Sequence, residues 1–364
     1  MLLNSEISKY VFRSLLFSTF VTLFCLLAVT LIGDLVEYSK KLSAYDLNDF
    51  SLLFMLILLN LPRMLLEVLP FALLFGGMLW TVKINSSREL LVMRASGVSL
   101  LRLCIPISMV GIILGFVFIL ILSPLLSATQ KKIQNIESEK LGKPINSILV
   151  SQNGFWLKQT TENGHDIIYA KSLDVKRLYL LDIIFFQFDK NHQIINKINA
   201  KSAELVDKYW LLNYLQITDK SGKVSKQEFL RIPTSITSSQ IRGGLSSPET
   251  VSIWNLAPFI KMFESAGFSV KKHRLYFYKL ITFPFFLASM SVLGVSFNMK
   301  GHSKKISNFR LLIGVISGFS IFYISKIMSA LAISGKLSLF FSSLIPTIIP
   351  LIVGLTIIIH ANEK

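Results

Sequence analysis

The chain has 364 residues, 52% of them hydrophobic, and a mean hydropathy of +0.57, more apolar sequence than a soluble protein of this size needs. Its formal charge of +17 would suit a nucleic-acid partner, but the lysines and arginines cluster in short loops between apolar runs. Membrane topology accounts for that placement, which argues against nucleic acid.

Lys9 and Arg13 precede an uncharged apolar run over residues 15–33. About twenty such residues cross a bilayer, so this is a first span. It is too long, and lacks the small-residue cleavage site, for a removed signal peptide. The loop that follows carries Asp34, Glu37, Asp46 and Asp49 against Lys40 and Lys41, as suits an outer side. A second apolar region, residues 51–82, is interrupted by Pro62, Arg63, Glu67 and Pro70.

The stretch SSRELLVMRASGVSL, Ser86 to Leu100, then breaks the apolar pattern. Ser86 and Glu89 are spaced as a capping box, and Gly97 is a natural stop after the helical residues between. The spacing predicts about ten helical residues with two good ends. A third span follows over residues 103–128. Lys83, Arg88, Arg94 and Arg102 surround the short helix, and Lys300, Lys304, Lys305 and Arg310 fill a later short loop. The positive-inside rule puts both loops and both chain termini in the cytoplasm.

Residues 130–140 read as a helical extension of the third span. The polar region over residues 127–271 lies outside, and its lysines do not conflict with that because long domains translocate largely regardless of charge. Strand-like runs fall at 148–157, 166–173, 178–188, 194–205, 209–218 and 224–232, separated by turn residues such as Asn163-Gly164 and Lys220-Ser221-Gly222. That spacing suits an antiparallel sandwich, jelly roll or barrel. A helix follows, opened by Ser247-Pro248-Glu249 and closed at Gly267. Residues 280–299, 311–325 and 337–360 complete six spans, centred near residues 24, 73, 114, 288, 320 and 348.

The expected fold is therefore an α-helical membrane protein of six spans with an exported all-β, jelly-roll-like domain between the third and fourth. Its parts are residues 1–129, 130–272 and 273–364. Two cysteines, Cys25 and Cys104, fall in or beside spans, so no internal disulfide staples the exported domain. No phosphate loop, HExxH or GxSxG motif occurs, and His165, His192, His273, His302 and His360 are scattered over both sides. An enzyme has no support, and no cofactor is implied.

Two further sets stand out. Lys40, Lys41, Lys131 and Lys132 lie near the outer membrane surface, where they are either solvated and snorkelling or present point charges to an anionic amphiphile. Glu67 and Lys326 each lie sixteen residues outward from a basic loop residue, Lys83 and Arg310. At about 1.5 Å per residue both sit roughly 24 Å from the cytoplasmic edge, a depth that permits an intramembrane pair or snorkelling to the outer interface.

The run ELLVMRASG, Glu89 to Gly97, resembles the coupling helix of the lipopolysaccharide-export permeases. QNGFWLK at Gln152 to Lys158, with IIYAKSL shortly after, is similar to the opening strands of their exported domain, and YKLITFPF at Tyr278 to Phe285 to their entry into span four. The likeness covers nearly the whole chain and is strongest to the G-type subunit, through RASG and the Gly-Phe-Trp strand. It implies a non-catalytic transmembrane half of an ATP-driven exporter in the bacterial inner membrane. The implied partners are lipopolysaccharide, a homologous F-type permease, a cytoplasmic ATPase dimer and periplasmic jelly-roll bridge proteins. Residues 86–97 would be the coupling helix, with Arg88, Glu89, Leu91, Met93 and Arg94 toward the ATPase, although a Glu89 that caps Ser86 is not free for both roles. The four outer lysines would hold lipid phosphates. One departure is Asp34, where the family often carries a lysine. The alternative from another class is a non-transporting envelope scaffold or receptor whose exported domain binds a protein partner.

Overall fold

The computed structural model describes residues 5–44, 49–140, 148–151, 154–161, 164–174, 179–189, 193–206, 208–220, 222–234, 247–265, 269–299 and 304–362. It divides into two compact units, residues 1–133 with 274–364, and residues 134–273.

The first unit is helical. It contains α1 (Ser5–Ser43), α2 (Phe50–Ser86), the short α3 (Glu89–Ala95) and α4 (Leu100–Val117). A five-residue π-helical turn, Phe118–Leu122, joins α4 to α5 (Ser123–Lys140). After the β unit come α7 (Lys271–Ser296), α8 (Lys304–Ile333) and α9 (Leu339–Asn362), α6 (Ile253–Ser265) belonging to the second unit. Six of these helices or helix pairs are long and apolar enough to cross a membrane, in agreement with the six expected spans. The first three run 37–38 residues, or roughly 55 Å, well beyond the ~30 Å of a bilayer core.

Span four, α7, is the centre of the bundle: 78% of its most apolar stretch is buried, against 22% for α1 and 17% for α8. Small residues let the neighbouring helix come close. A Cβ on Gly111 would lie 2.5 Å from the backbone of Ala288, and one on Gly115 2.4 Å from Pro284 Cα. Ser291 Oγ also donates to the Ile107 carbonyl at 3.1 Å. Helix association in lipid relies on such packing and hydrogen bonding because burial from water contributes nothing there.

The second unit carries a seven-stranded antiparallel sheet in which each strand pairs with the next in sequence. The strands are β1 (Ile148–Ser151), β2 (Gly154–Thr161), β3 (Gly164–Asp174), β4 (Tyr179–Asp189), β5 (Ile194–Val206), β6 (Tyr209–Asp219) and β7 (Val224–Pro233). The first expected strand is two, with Ser151 opposite Gly154. The expected run 148–157 contains Asn153-Gly154, an Asn-Gly turn signal in the sequence. α6 ends at Ser265, and the expected stop at Gly267 lies outside the described residues.

A meander this long covers both sides of its core by bending, and the bend has a definite line. Lys171, Asp182, Lys201, Tyr214 and Glu228 share one row across β3 to β7, and ladder pairs are interrupted there. Asp182 and Tyr214 have φ of 49° and 51°, in the left-handed region. Inward residues are spaced by two along a strand, but across this row they run Leu180 to Ile183 and Leu212 to Leu215. One left-handed residue thus turns the strand while keeping its apolar face inward, much as a bulge does. The core on either side is Leu180, Ile183, Phe185, Ile198, Trp210 and Leu215. At the far end Thr234, just past β7, donates its hydroxyl to Gln159 of β2 at 2.6 Å, so the sheet curls back on itself.

Candidate functional site

α2 does not stop where a capping box would have it stop. It runs through Ser86, whose hydroxyl donates to the Lys83 carbonyl at 2.7 Å inside its own last turn. Ser87 caps α2, Arg88 adopts a left-handed φ of 60°, and α3 begins at Glu89 with no side-chain cap. The expected box is therefore absent. Its physical reason is that Ile84, fully buried, continues the apolar face of α2 to the last turn, and Ser86 goes with it. The helix has seven residues rather than ten.

Glu89 is held differently. Its Oε1 accepts from Ser87 Oγ at 2.8 Å, and its Oε2 accepts from the Tyr10 hydroxyl of α1 at 2.6 Å. The C-terminal stop forms as expected. Val98 N–H donates to the Met93 carbonyl at 3.1 Å and Gly97 N–H to the Arg94 carbonyl at 3.0 Å, with Gly97 at φ +85°.

Leu90 and Met93, three residues apart, are buried at 5% and 8% exposure, so Met93 packs within the chain and is not on the outward face. The outward residues are Leu91 and Val92, 57% and 67% exposed, with Arg88 and Arg94 beside them in sequence and also exposed. The resemblance points to Leu91 and Met93 as the apolar contacts; the spacing of Leu90 and Met93 puts them on one face and is the sequence signal for Val92 beside Leu91 on the other. Tyr10 brings the start of α1 to this end of the bundle. The Leu100 N–H donates to Asn362 Oδ1 at 3.3 Å and brings the end of α9 here too.

At the opposite end, Asn60 of α2 donates through Nδ2 to Asp34 of α1. Gln130 of α5 donates to Asn60 Oδ1 at 3.2 Å. Lys40 and Lys41 follow Asp34 in α1, and Lys131 and Lys132 follow Gln130, so this three-residue chain brings both lysine pairs to one end of the bundle. Lys40, Lys131 and Lys132 are exposed, and Lys41 Nζ lies 5.4 Å from the Tyr38 ring centroid. Asp34 is an acceptor that pins three spans together, a role a lysine there would not fill.

Glu67 and Lys326 are not brought together. Glu67 Oε1 lies 3.6 Å from Arg63 Nε, one turn away on α2, with both side chains about half exposed at 57% and 44%. Lys326 Nζ sits over Phe322 of its own helix, 5.1 Å from the ring centroid. Among the described residues no ion pair joins Glu67 to Lys326. α8 faces α2 through Gly314 and Gly318, against Met78 and Leu74. Lys326, eight residues beyond Gly318, is about 80° round the helix from that seam.

The family model described as lipopolysaccharide export system permease LptF/LptG matches residues 9–360. The lipopolysaccharide export system permease protein LptG of Haemophilus influenzae is 23% identical over 357 residues, covering 95% of this chain and 96% of that protein. Its counterpart of the same name in Escherichia coli K12 is 22% identical over 349 residues, covering 94% of each. The chain belongs to the lipopolysaccharide export system permease LptF/LptG family.

Proposed function

We propose that this chain is a G-type permease subunit that spans the bacterial inner membrane and forms half of an ATP-driven lipopolysaccharide exporter, paired with a homologous F-type permease. The observation that carries the reading is α3. It is a short helix with Leu91, Val92, Arg88 and Arg94 exposed, standing at the bundle end that also holds the start of α1 and the end of α9. That end is rich in Lys and Arg, so it is cytoplasmic by the positive-inside rule. The chain carries no phosphate loop. ATP hydrolysis belongs to a separate cytoplasmic dimer that seats its groove on the Leu91–Val92 face.

At the other end Lys40, Lys41, Lys131 and Lys132 supply ammonium point charges suited to lipid phosphates, with exposed apolar faces of the spans below for acyl chains. The β unit is periplasmic in this reading. β7 ends the sheet with nearly every residue exposed, including Phe229 at 69%. Such an edge can accept a strand from a periplasmic bridge domain.

Photo-crosslinkers placed at Leu91, Lys41 and Lys131 of the full chain in native membranes test this. Leu91 is expected to crosslink an ATPase, and the lysine positions lipopolysaccharide in an ATP-dependent manner. No retained ATPase and no lipid crosslink, with a protein partner captured on the β unit, would replace transport with a scaffold.

A further inference from the structure

The joint between α2 and α3 is two residues, Ser87 and Arg88, with Arg88 left-handed. The backbone hydrogen bonds there belong to one helix or the other. Ser87 N–H donates to the Lys83 carbonyl, Arg88 N–H to that of Asn85, and Leu91 and Val92 N–H groups to that of Arg88. Backbone bonding alone does not fix how α3 is aimed. Side chains do: Leu90 and Met93 are buried against the rest of the chain, and on the exposed side of the joint Glu89 accepts through one carboxylate oxygen from Ser87 and through the other from Tyr10.

Tyr10 belongs to a helix that is itself fastened to α2 at successive levels. Thr22 Oγ1 donates to the Ala72 carbonyl at 2.8 Å. A Cβ on Gly76 would lie 2.7 Å from Thr19 Cα, so only glycine permits that approach. Beyond these, Asn60 holds Asp34.

We propose that Tyr10 and Glu89 form an internal strut that makes α3 one mechanical body with α1 and α2. Glu89 is then a positioning residue whose carboxylate is taken up by Tyr10 and Ser87 at the surface of the chain, and the surface a partner pushes on is Leu91 and Val92. A push there moves α1 with α2 and reaches the Asp34 end, where Lys40 and Lys41 stand. The strut rests on the permease reading for its purpose, but its existence does not.

The experiment has two arms. In the first, the complete exporter in nanodiscs is assayed for ATPase retention and for lipopolysaccharide released per ATP hydrolysed. Tyr10→Phe removes one hydroxyl and is expected to retain the ATPase while lowering release per ATP several-fold. Glu89→Ala should do the same, Glu89→Gln should recover part of the loss through its remaining acceptor oxygen, and the double variant should be no worse than Glu89→Ala. Glu89→Ala weakening ATPase retention while Tyr10→Phe behaves as the parent would place Glu89 on the ATPase and overturn the strut. In the second arm, Cys25 and Cys104 are replaced by Ser, and spin labels at Lys9→Cys and Val92→Cys report the α1–α3 distance in the purified chain alone. Tyr10→Phe should broaden that distribution, and an unchanged one overturns the strut. A parent protein that retains no ATPase, with the broadening still seen on Tyr10→Phe, removes the permease reading and leaves the strut standing.

Discussion

Asp34 in the helical unit and Asp166 in the β unit each accept from a side-chain amide that itself accepts from a third side chain, in different surroundings. Asn60 donates to Asp34 and accepts from Gln130, tying three spans. Gln159 donates to Asp166 at 2.7 Å and accepts from Thr234 at 2.6 Å, tying β2, β3 and the residue after β7. Asp34 is half-buried, whereas Asp166 and Gln159 are 3% and 2% exposed. Two of those spans, α1 and α2, have a second means of approach at Gly76 against Thr19, so the polar chain acts as a pin that sets alignment. The curled sheet relies on its polar chain to close the curl, in a dry setting where unpaired groups are costly.

Removing the middle amide breaks the comparison most sharply. Gln159→Leu takes the amide donor away from a carboxylate that is 3% exposed, and should cost about 2–3 kcal/mol. Hydrogen exchange in β2 and β3 of the full chain reads this directly. Asn60→Leu should cost less, about 1–2 kcal/mol, since the half-buried Asp34 has other access to polar surroundings. A thermal shift in detergent larger for Asn60→Leu than for Gln159→Leu would reverse the ranking of the two units.

The pH dependence of the sheet sharpens the comparison further. Burial pushes the Asp166 carboxyl above the usual carboxylate range, and the Gln159 hydrogen bond only partly opposes it. The folded sheet therefore binds this proton more tightly than the unfolded chain. The stability this adds is fully present below the ordinary carboxylate range and is lost as pH rises through the raised value. Exchange protection of β2 and β3 should fall over that window, and Asp166→Asn should flatten the fall. A slope unchanged by Asp166→Asn would assign it to another group.

Much of this was legible in the sequence, and the failures have physical causes. Apolar length alone located six spans, because a bilayer leaves few other uses for such runs. The capping box failed because Ser86 serves equally well as the last residue of one helix or the cap of the next. Only the burial of Ile84 decides. Glu67 and Lys326 share a depth, but depth says nothing of the direction each faces round its helix. The Tyr10–Glu89 contact joins residues 79 apart, and no local pattern announces it. In the sheet the strands were visible, while their order as a continuous meander needed the register.

The row through Asp182 and Tyr214 had a signal, the apolar spacing of three at Leu180–Ile183 and Leu212–Leu215, and it supports the smallest prediction. A side chain in the left-handed region pays roughly 1–2 kcal/mol in Cβ contact with the backbone, less for Asp, which bonds locally there. Glycine avoids that contact but gives back part of the gain through unfolded-state entropy. Tyr214→Gly should therefore stabilise β6 by a few tenths to about 1 kcal/mol, and Asp182→Gly by less. Tyr214→Val should cost about 1 kcal/mol, since a β-branched residue is worst placed at positive φ and would straighten the strand. Straightening turns Leu215, 2% exposed, away from the core. Asp182 and Tyr214 lie two strands apart, near 10 Å, so the two glycine effects should add. Exchange protection at Leu212 and Leu215 measures them. Lower protection in Tyr214→Gly than in the parent would mean that the tyrosine ring holds the row, and the left-handed backbone does not.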